Sequence, residues 1–287
     1  MALTHIQQRL LDAASGDDEQ ELVFQHSVLC QVGMPRRAQE GRTFERRSGN
    51  VYVKLFAGEL FDGETWVEQP LPYGTPPRLV MLHISAQAIK RRSRVIPIGD
   101  STREFLQQLG IGTNGGERGG YTRFKRQMMA LAACRLQLGY AVEGRAVTVK
   151  TDPIEEFDAW LHAEDKTLWP GTLTLSERFY ETLLYHAVPL DKAALQALKH
   201  SALALDIYTW LAHRLVRVNR PVQLSWHALR EQFGQEYHDG RNFKKEFRHA
   251  LGQVKAVYLA ARIEDLEGGL LLKRSAPPVR KVSTFPQ

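Results

Sequence analysis

The sequence predicts an α+β fold, mainly helical, in which one order of elements occurs twice. Three observations carry that expectation. The first is a shared run of helix, short strand, helix ending in glycine, loop, basic helix and hairpin, over 50–150 and again over 175–275. The second is residue correspondence along the run. Glu104–Gly110 (EFLQQLG) aligns with Arg230–Gly234 (REQFG) at an offset of 124, and Phe124-Lys125-Arg126 aligns with Phe243-Lys244-Lys245 at an offset of 119. The drift between the offsets falls in a loop that is longer and glycine-rich in the first copy. The third is charge. Lys90–Arg135 holds ten Lys/Arg against three Asp/Glu, Leu211–Lys255 holds nine against four, and Thr151–Asp165 holds six acids and no Lys or Arg. Two basic modules flanking an acidic segment suit a polyanion binder.

The elements follow in order. Residues 1–49 read as an N-terminal helix at 4–14, with Ile6, Leu10 and Ala14 on one face, then a mobile, aperiodic segment whose arginines (33–49) are read as solvated. Residues 51–57 alternate as a strand, with a return strand at 61–67 across the turn DGET. A Pro-rich stretch leads into a helix over 77–90, where Pro77 suits the first turn. A strand at 94–98 precedes a helix with a Ser101/Glu104 capping box and Gly110 beyond its end. A strong helix is predicted over 121–138 and a hairpin around EGR over 140–149. Residues 151–174 read as an acidic linker. Beyond it lie a strand turning into a helix (175–191) and a long helix over 192–218 with a stripe of Leu203, Ile207, Trp210, Leu211 and Leu215. A strand (222–225), a helix between Ser225 and Gly234, a helix over 241–254 and a hairpin around EDLEGG complete the second copy. Residues 276–287 read as a flexible tail.

This order is that of a winged helix, a helix-turn-helix with a hairpin beside its second helix. Tandem winged-helix domains at 50–150 and 175–275 are therefore expected. In the first recognition helix Arg123, Lys125 and Arg126 crowd the opening turns while Phe124, Met128 and Leu131 face inward. In the second, Arg241, Asn242, Lys244, Lys245 and Arg248 are polar while Phe243, Phe247, Leu251 and Val254 make the core stripe. N-terminal residues of such a helix meet base edges, where Arg suits guanine and Asn adenine. Arg145 in the first wing, and Lys273 and Arg274 near the second, are placed to reach phosphate. Two such modules would engage neighbouring major grooves ~10 base pairs apart.

Composition narrows the chemistry. The 287 residues carry a formal net charge of +6 and two cysteines, Cys30 and Cys134, with no CxxC. That pattern suits buried thiols in a reducing cytoplasm. No signal peptide or membrane-spanning run is visible, so a soluble cytoplasmic protein is expected. Gly110–Gly115 matches GxGxxG, but a helix precedes it where a dinucleotide site needs a strand. GGERGG lacks the Lys-Ser/Thr of a phosphate loop. The acids of 152–165 have no metal-binding companion motif, and the histidines are scattered. No catalytic residue, cofactor or metal is expected. A nucleotide-binding enzyme built on the glycine run is the competing class.

LPYGTPPRLVMLHIS (71–85), the run from RVIPIG to YTRFKRQM (94–128), SALALDIYTWLAHRL (201–215), LSWHALREQFG (224–234) and GGLLLKRSAPPV (268–279) resemble plasmid-encoded RepA replication initiator proteins. The resemblance spans about 70–279. It implies binding to repeated duplex sites (iterons) in an origin, local opening of the duplex, recruitment of host replication proteins and a monomer–dimer switch. The basic residues named above on the two recognition helices would then be the DNA readers. A winged-helix transcriptional repressor is the alternative within the same class.

Overall fold

The computed structural model describes residues 21–112, 120–142, 144–156 and 171–279. The helix expected at 4–14 lies outside these residues, as do 113–119 of the glycine-rich loop, 157–170 of the acidic stretch and residues 280–287. Nine helices and fourteen strands occur among the described residues, so the fold is mixed α+β with more strand than expected. The chain divides into two compact units, one of residues 32–187 and one of residues 1–31 with 188–287. The described part of the segment read as 1–49, residues 21–49, is thus shared between them.

β1 (Leu22–His26) and α1 (Ser27–Gln31) belong to the unit completed by 188–287. β2 (Thr43–Ser48) forms where the sequence suggests loop. Its alternation is hidden because one inward residue is an arginine: Phe44 and Arg46 are buried, while Thr43, Glu45 and Arg47 are exposed. The Arg46 guanidinium donates to the carbonyls of Gly33 and Met34. Arg78, also buried, donates to those of Met34, Pro35 and Gly74. Buried carbonyls and buried guanidinium groups satisfy one another there, which removes the cost of burying either alone.

β3 (Val51–Phe56) pairs with β2. β4 (Glu59–Phe61) and β5 (Trp66–Glu68) pair with each other around DGET instead of returning onto β3. Asp62 Oδ1 closes that turn by accepting from the amides of Glu64 and Thr65. α2 (Thr75–Arg91) starts with two prolines in its first turn, as its sequence suggests. β6 (Val95–Pro97) follows. α3 (Thr102–Gln108) is capped by Ser101 Oγ, which accepts from the Glu104 amide, while the Glu104 carboxylate accepts from Asp100 N. At its far end Gly110, at φ 67°, donates to Gln107 O and Ile111 donates to Leu106 O. That is a Schellman closure, and only glycine adopts the left-handed position at little cost.

α4 (Gly120–Ala133) stops short of the expected 138, because RLQLGYAV takes up a period of two. β7 (Arg135–Val142) pairs with β8 (Arg145–Thr151) and with β3, giving a four-stranded antiparallel sheet β2-β3-β7-β8. β9 (Ile154–Glu156) and β10 (Thr172–Leu175) correct the linker reading, since both are strands in a sheet with β6, in the order β6-β10-β9. α5 (Glu177–His186) and β11 (Ala187–Asp191) follow.

In the other unit β11 pairs with β1. The helix expected over 192–218 is two: α6 (Lys192–Leu198) and α7 (Ala202–Leu215), separated where Ser201 Oγ accepts from Ala204 N and restarts the helix. β12 (Val222–Ser225), α8 (Trp226–Phe233), α9 (Gly240–Val257), β13 (Ile263–Leu266) and β14 (Gly269–Leu272) complete it, with sheet order β12-β14-β13.

Each unit therefore carries the same three-stranded arrangement. The strand before the helix pair lies beside the last strand, and the middle strand lies outside. Ser101 and Ser225 both cap the first helix of a pair, and Gly110 and Gly234 both end it, at the same offset. The hairpin expected as the first wing at 140–149 is instead an insertion, β7–β8, in the four-stranded sheet. β9 and β10 hold the equivalent of the β13–β14 position. Alternation reveals a strand but not which strand it pairs with.

Candidate nucleic-acid interface

α9 is fixed at its start. Asp239 caps it, accepting from Arg241 N at 3.0 Å and Asn242 N at 3.3 Å. Those bonds hold the Asp239 carboxyl below the usual range. Arg230 of α8 fixes the loop between the two helices by donating to the carbonyls of Tyr237 and His238. Phe243, Phe247, Ala250, Leu251 and Val254 are buried. Phe247 packs against the rings of Trp226, Phe233 and Phe243 at centroid separations of 5.9, 5.5 and 5.5 Å. The inward stripe thus turns the basic face of α9 to solvent.

Arg241, Asn242, Lys245 and Arg248 are exposed and Lys244 is partly so. They do not play equivalent parts. Arg248 forks onto Asp265 of β13, with Nε to Oδ2 at 2.8 Å and Nη2 to Oδ1 at 3.0 Å. Its guanidinium also lies 4.9 Å from the Trp226 ring centroid, and Lys244 Nζ lies 5.6 Å from it. Trp226 in turn donates from Nε1 to Glu267 O and from its backbone to Gly268 O, at the hairpin turn. Lys273 pairs with Glu264 on the neighbouring strand. Arg274 is exposed. The hairpin's carboxylates thus engage Arg248 and Lys273, leaving Arg241, Asn242 and Lys245 as the open group at the start of the helix. Trp226 is buried in the core, as its sequence suggests, but its contacts with α9 and the hairpin, and the roles of Arg230 and Asp265, were not legible in sequence. EDLEGG shows acids, but not that one of them meets Arg248.

In the other unit α4 buries Phe124, Met128 and Leu131, as expected. Gln127 is also buried, and its Oε1 accepts from Tyr73 N at 2.6 Å. Arg123 and Arg126 are exposed and Lys125 is half-buried. Arg145 is exposed on the inserted hairpin, away from the equivalent of the second wing. The α4 and α9 groups lie in different units.

Residues 113–115 of the GxGxxG match lie outside the described residues. Gly110 of the GxGxxG match closes a helix. Burial pushes the Cys134 thiol up to about 12 and raises Cys30 as well, so both are protonated, unreactive core residues. Among the described residues no cluster of His, Cys, Asp and Glu could hold a metal, and no helix is long and apolar enough to cross a membrane.

The arrangement of elements has solved counterparts. A crystal structure of RctB domains 2-3 (RctB-155-483) matches at a TM-score of 0.50 and 11% identity, covering 85% of this chain and 94% of that one. A structure of selenomethionine derivatives of RctB domain 2 and domain 3 matches at 0.52 and 9%, covering 87% and 98%. At such identity the likeness is one of fold: a two-domain α+β architecture. No curated protein matches the chain. The family model for plasmid-encoded RepA protein matches residues 71–227, more than half of the chain, which therefore belongs to that family of plasmid replication proteins.

Proposed function

We propose that this chain initiates plasmid replication by binding repeated duplex sites in the origin, with α9 as the principal recognition helix. Each unit supplies a module of winged-helix type, and α4 is the corresponding helix in the first. The observation that carries the reading is the start of α9. Arg241, Asn242 and Lys245 stand exposed on one helix whose opposite face is locked into an aromatic core beside a three-stranded hairpin sheet. Arg and Asn there have the donor geometry for guanine and adenine edges, and Lys245 suits phosphate. Arg123 and Arg126 do the same for α4, with Lys125 flanking them. Lys244, Arg248 and Lys273 reach DNA only by leaving Trp226, Asp265 and Glu264, whereas Arg274 is open. Local opening, contact with host replication proteins and a homodimer belong to the same proposal.

Fluorescence anisotropy tests it, with a labelled duplex carrying direct repeats from beside the gene and a scrambled duplex of equal composition. Preference for the repeats at ~0.15 M salt, lost in an Arg241→Ala/Asn242→Ala variant, is the expected result. Equal binding to both duplexes, or an undiminished preference in the variant, overturns it.

A further inference from the structure

The four-stranded sheet of the unit 32–187 has two unlike faces. On one, Phe44, Val53, Leu55, Leu136, Leu138 and Val149 are buried. Cross-strand register defines the other. Arg47 lies opposite Tyr52, Gly139 and Thr148 in one row. Glu45 lies opposite Lys54, Gln137 and Lys150 in the next, and Thr43 opposite Phe56 and Arg135 in the third. None of these residues is buried. The face is therefore open, and it carries two aromatic rings among four cations: Arg47, Lys54, Arg135 and Lys150. Its acids are Glu45, 3.4 Å from Lys54, and Asp152 at one corner.

We propose that this sheet face binds single-stranded DNA, with Tyr52 and Phe56 as stacking platforms and the four cations along the backbone path. Tyr52 and Phe56 stand four residues apart on β3, about 13 Å, with Lys54 between them. That separation is more than one nucleotide step, so the rings would take non-adjacent bases while the backbone between them runs past Lys54. Lys54 Nζ lies 5.6 Å from the Phe56 ring, so the charge already sits beside a platform. Beside Phe56 lies a pocket of about 330 Å³ lined also by Arg135, Gln137 and Lys150. Across from Tyr52 the strand has no side chain. A Cβ at Gly139 would approach the Tyr52 Cβ to 3.2 Å, so glycine keeps that ring uncovered. Stacking tolerates any base, whereas a duplex hides its base faces. The chemistry of this surface thus fits an unpaired strand and differs from that of α9.

The proposal goes beyond duplex recognition and stands or falls apart from it. The full chain is titrated into labelled oligo(dT) and oligo(rU) of ~20 nucleotides and into duplex, at ~0.15 M salt. Binding to oligo(dT), weakened about tenfold by Tyr52→Ala and restored by Tyr52→Phe, is expected, with duplex affinity unchanged. Arg47→Ala/Lys150→Ala should flatten the salt dependence for oligo(dT) alone. Arg241→Ala should weaken duplex binding and leave oligo(dT) untouched, which separates failure of the α9 reading from failure of this one. Tyr52 is exposed, and circular dichroism checks that its variants fold. No oligo(dT) binding, an indifferent Tyr52→Ala, or tighter binding to oligo(rU) overturns the assignment. So does dissociation of an oligomer by Tyr52→Ala in sedimentation, since the face would then join copies of the chain.

Discussion

Arg248 is expected to act mainly as a brace between α9 and the hairpin, and the perturbation is a comparison of Arg248→Ala, Asp265→Asn and the double variant. The side chains of the pair are 46% and 43% exposed. Solvent screening at that exposure limits the ion pair to ~0.5–1 kcal/mol, the forked geometry favouring the upper end. Contact of the guanidinium with the Trp226 ring adds ~0.5–1 kcal/mol, which Arg248→Ala also removes. Arg248→Ala should therefore lower unfolding free energy by ~1–2 kcal/mol and Asp265→Asn by ~0.5–1 kcal/mol. A double-mutant cycle should recover a coupling near the smaller figure. Urea unfolding measures the stabilities, and anisotropy on the repeat duplex measures binding. A brace costs under ~1 kcal/mol of affinity when removed, whereas Lys245→Ala costs ~1–3 kcal/mol and lowers the salt slope by about one. Asp265→Asn should raise the slope by about one, because it releases a cation toward the backbone. Loss of ~3 kcal/mol of specific binding in Arg248→Ala at unchanged stability would refute the reasoning and make Arg248 a base reader.

Other outcomes follow from the same contacts. His213 is held down at about 4 by burial first, then by Arg217 and Arg214. Its folded pKa lies below the unfolded one, so its stability contribution is present above pH ~6.5 and lost as pH falls toward 4; discounted for part exposure, the loss is ~2 kcal/mol. Urea titrations should show this slope flattened in His213→Gln. Gly269→Ala should cost more than ~2 kcal/mol and disrupt the hairpin's pairing with β12. Gly269 sits at φ 155°, and a Cβ there would lie 1.8 Å from Leu224 O. Phe247→Ala empties the aromatic core and should cost ~3–5 kcal/mol in chemical denaturation. Ser225→Ala removes the acceptor for Ala228 N and should cost ~1 kcal/mol.

Much of the framework was legible because its signals are local. Ser101 and Ser225 cap helices through their own chain three residues on. Gly110 is read as a terminator because few other residues enter its backbone region. The inward stripe of α9 follows from a period of 3.6 on one helix. The single helix expected over 192–218 divides for an equally local reason, a cap not read from the sequence: Ser201 Oγ accepts from Ala204 N and restarts the helix.

What the chain determined by itself was the presence of two basic helices, their inward faces, the caps of the helices before them and the repeated order around them, since each depends on residues within a few positions of one another. Tertiary structure alone decided which strands pair. It moved β7–β8 out of the wing position and into a sheet with β2 and β3, and it brought β9 and β10 to β6 from a stretch read as linker. It also decided which charges stand open, by setting Asp265 against Arg248, Glu264 against Lys273 and a loop's carbonyls around Arg46. Hydrogen bonds between strands and pairing between charges form across long sequence separations. No period, cap or composition along one segment encodes the partner at the other end.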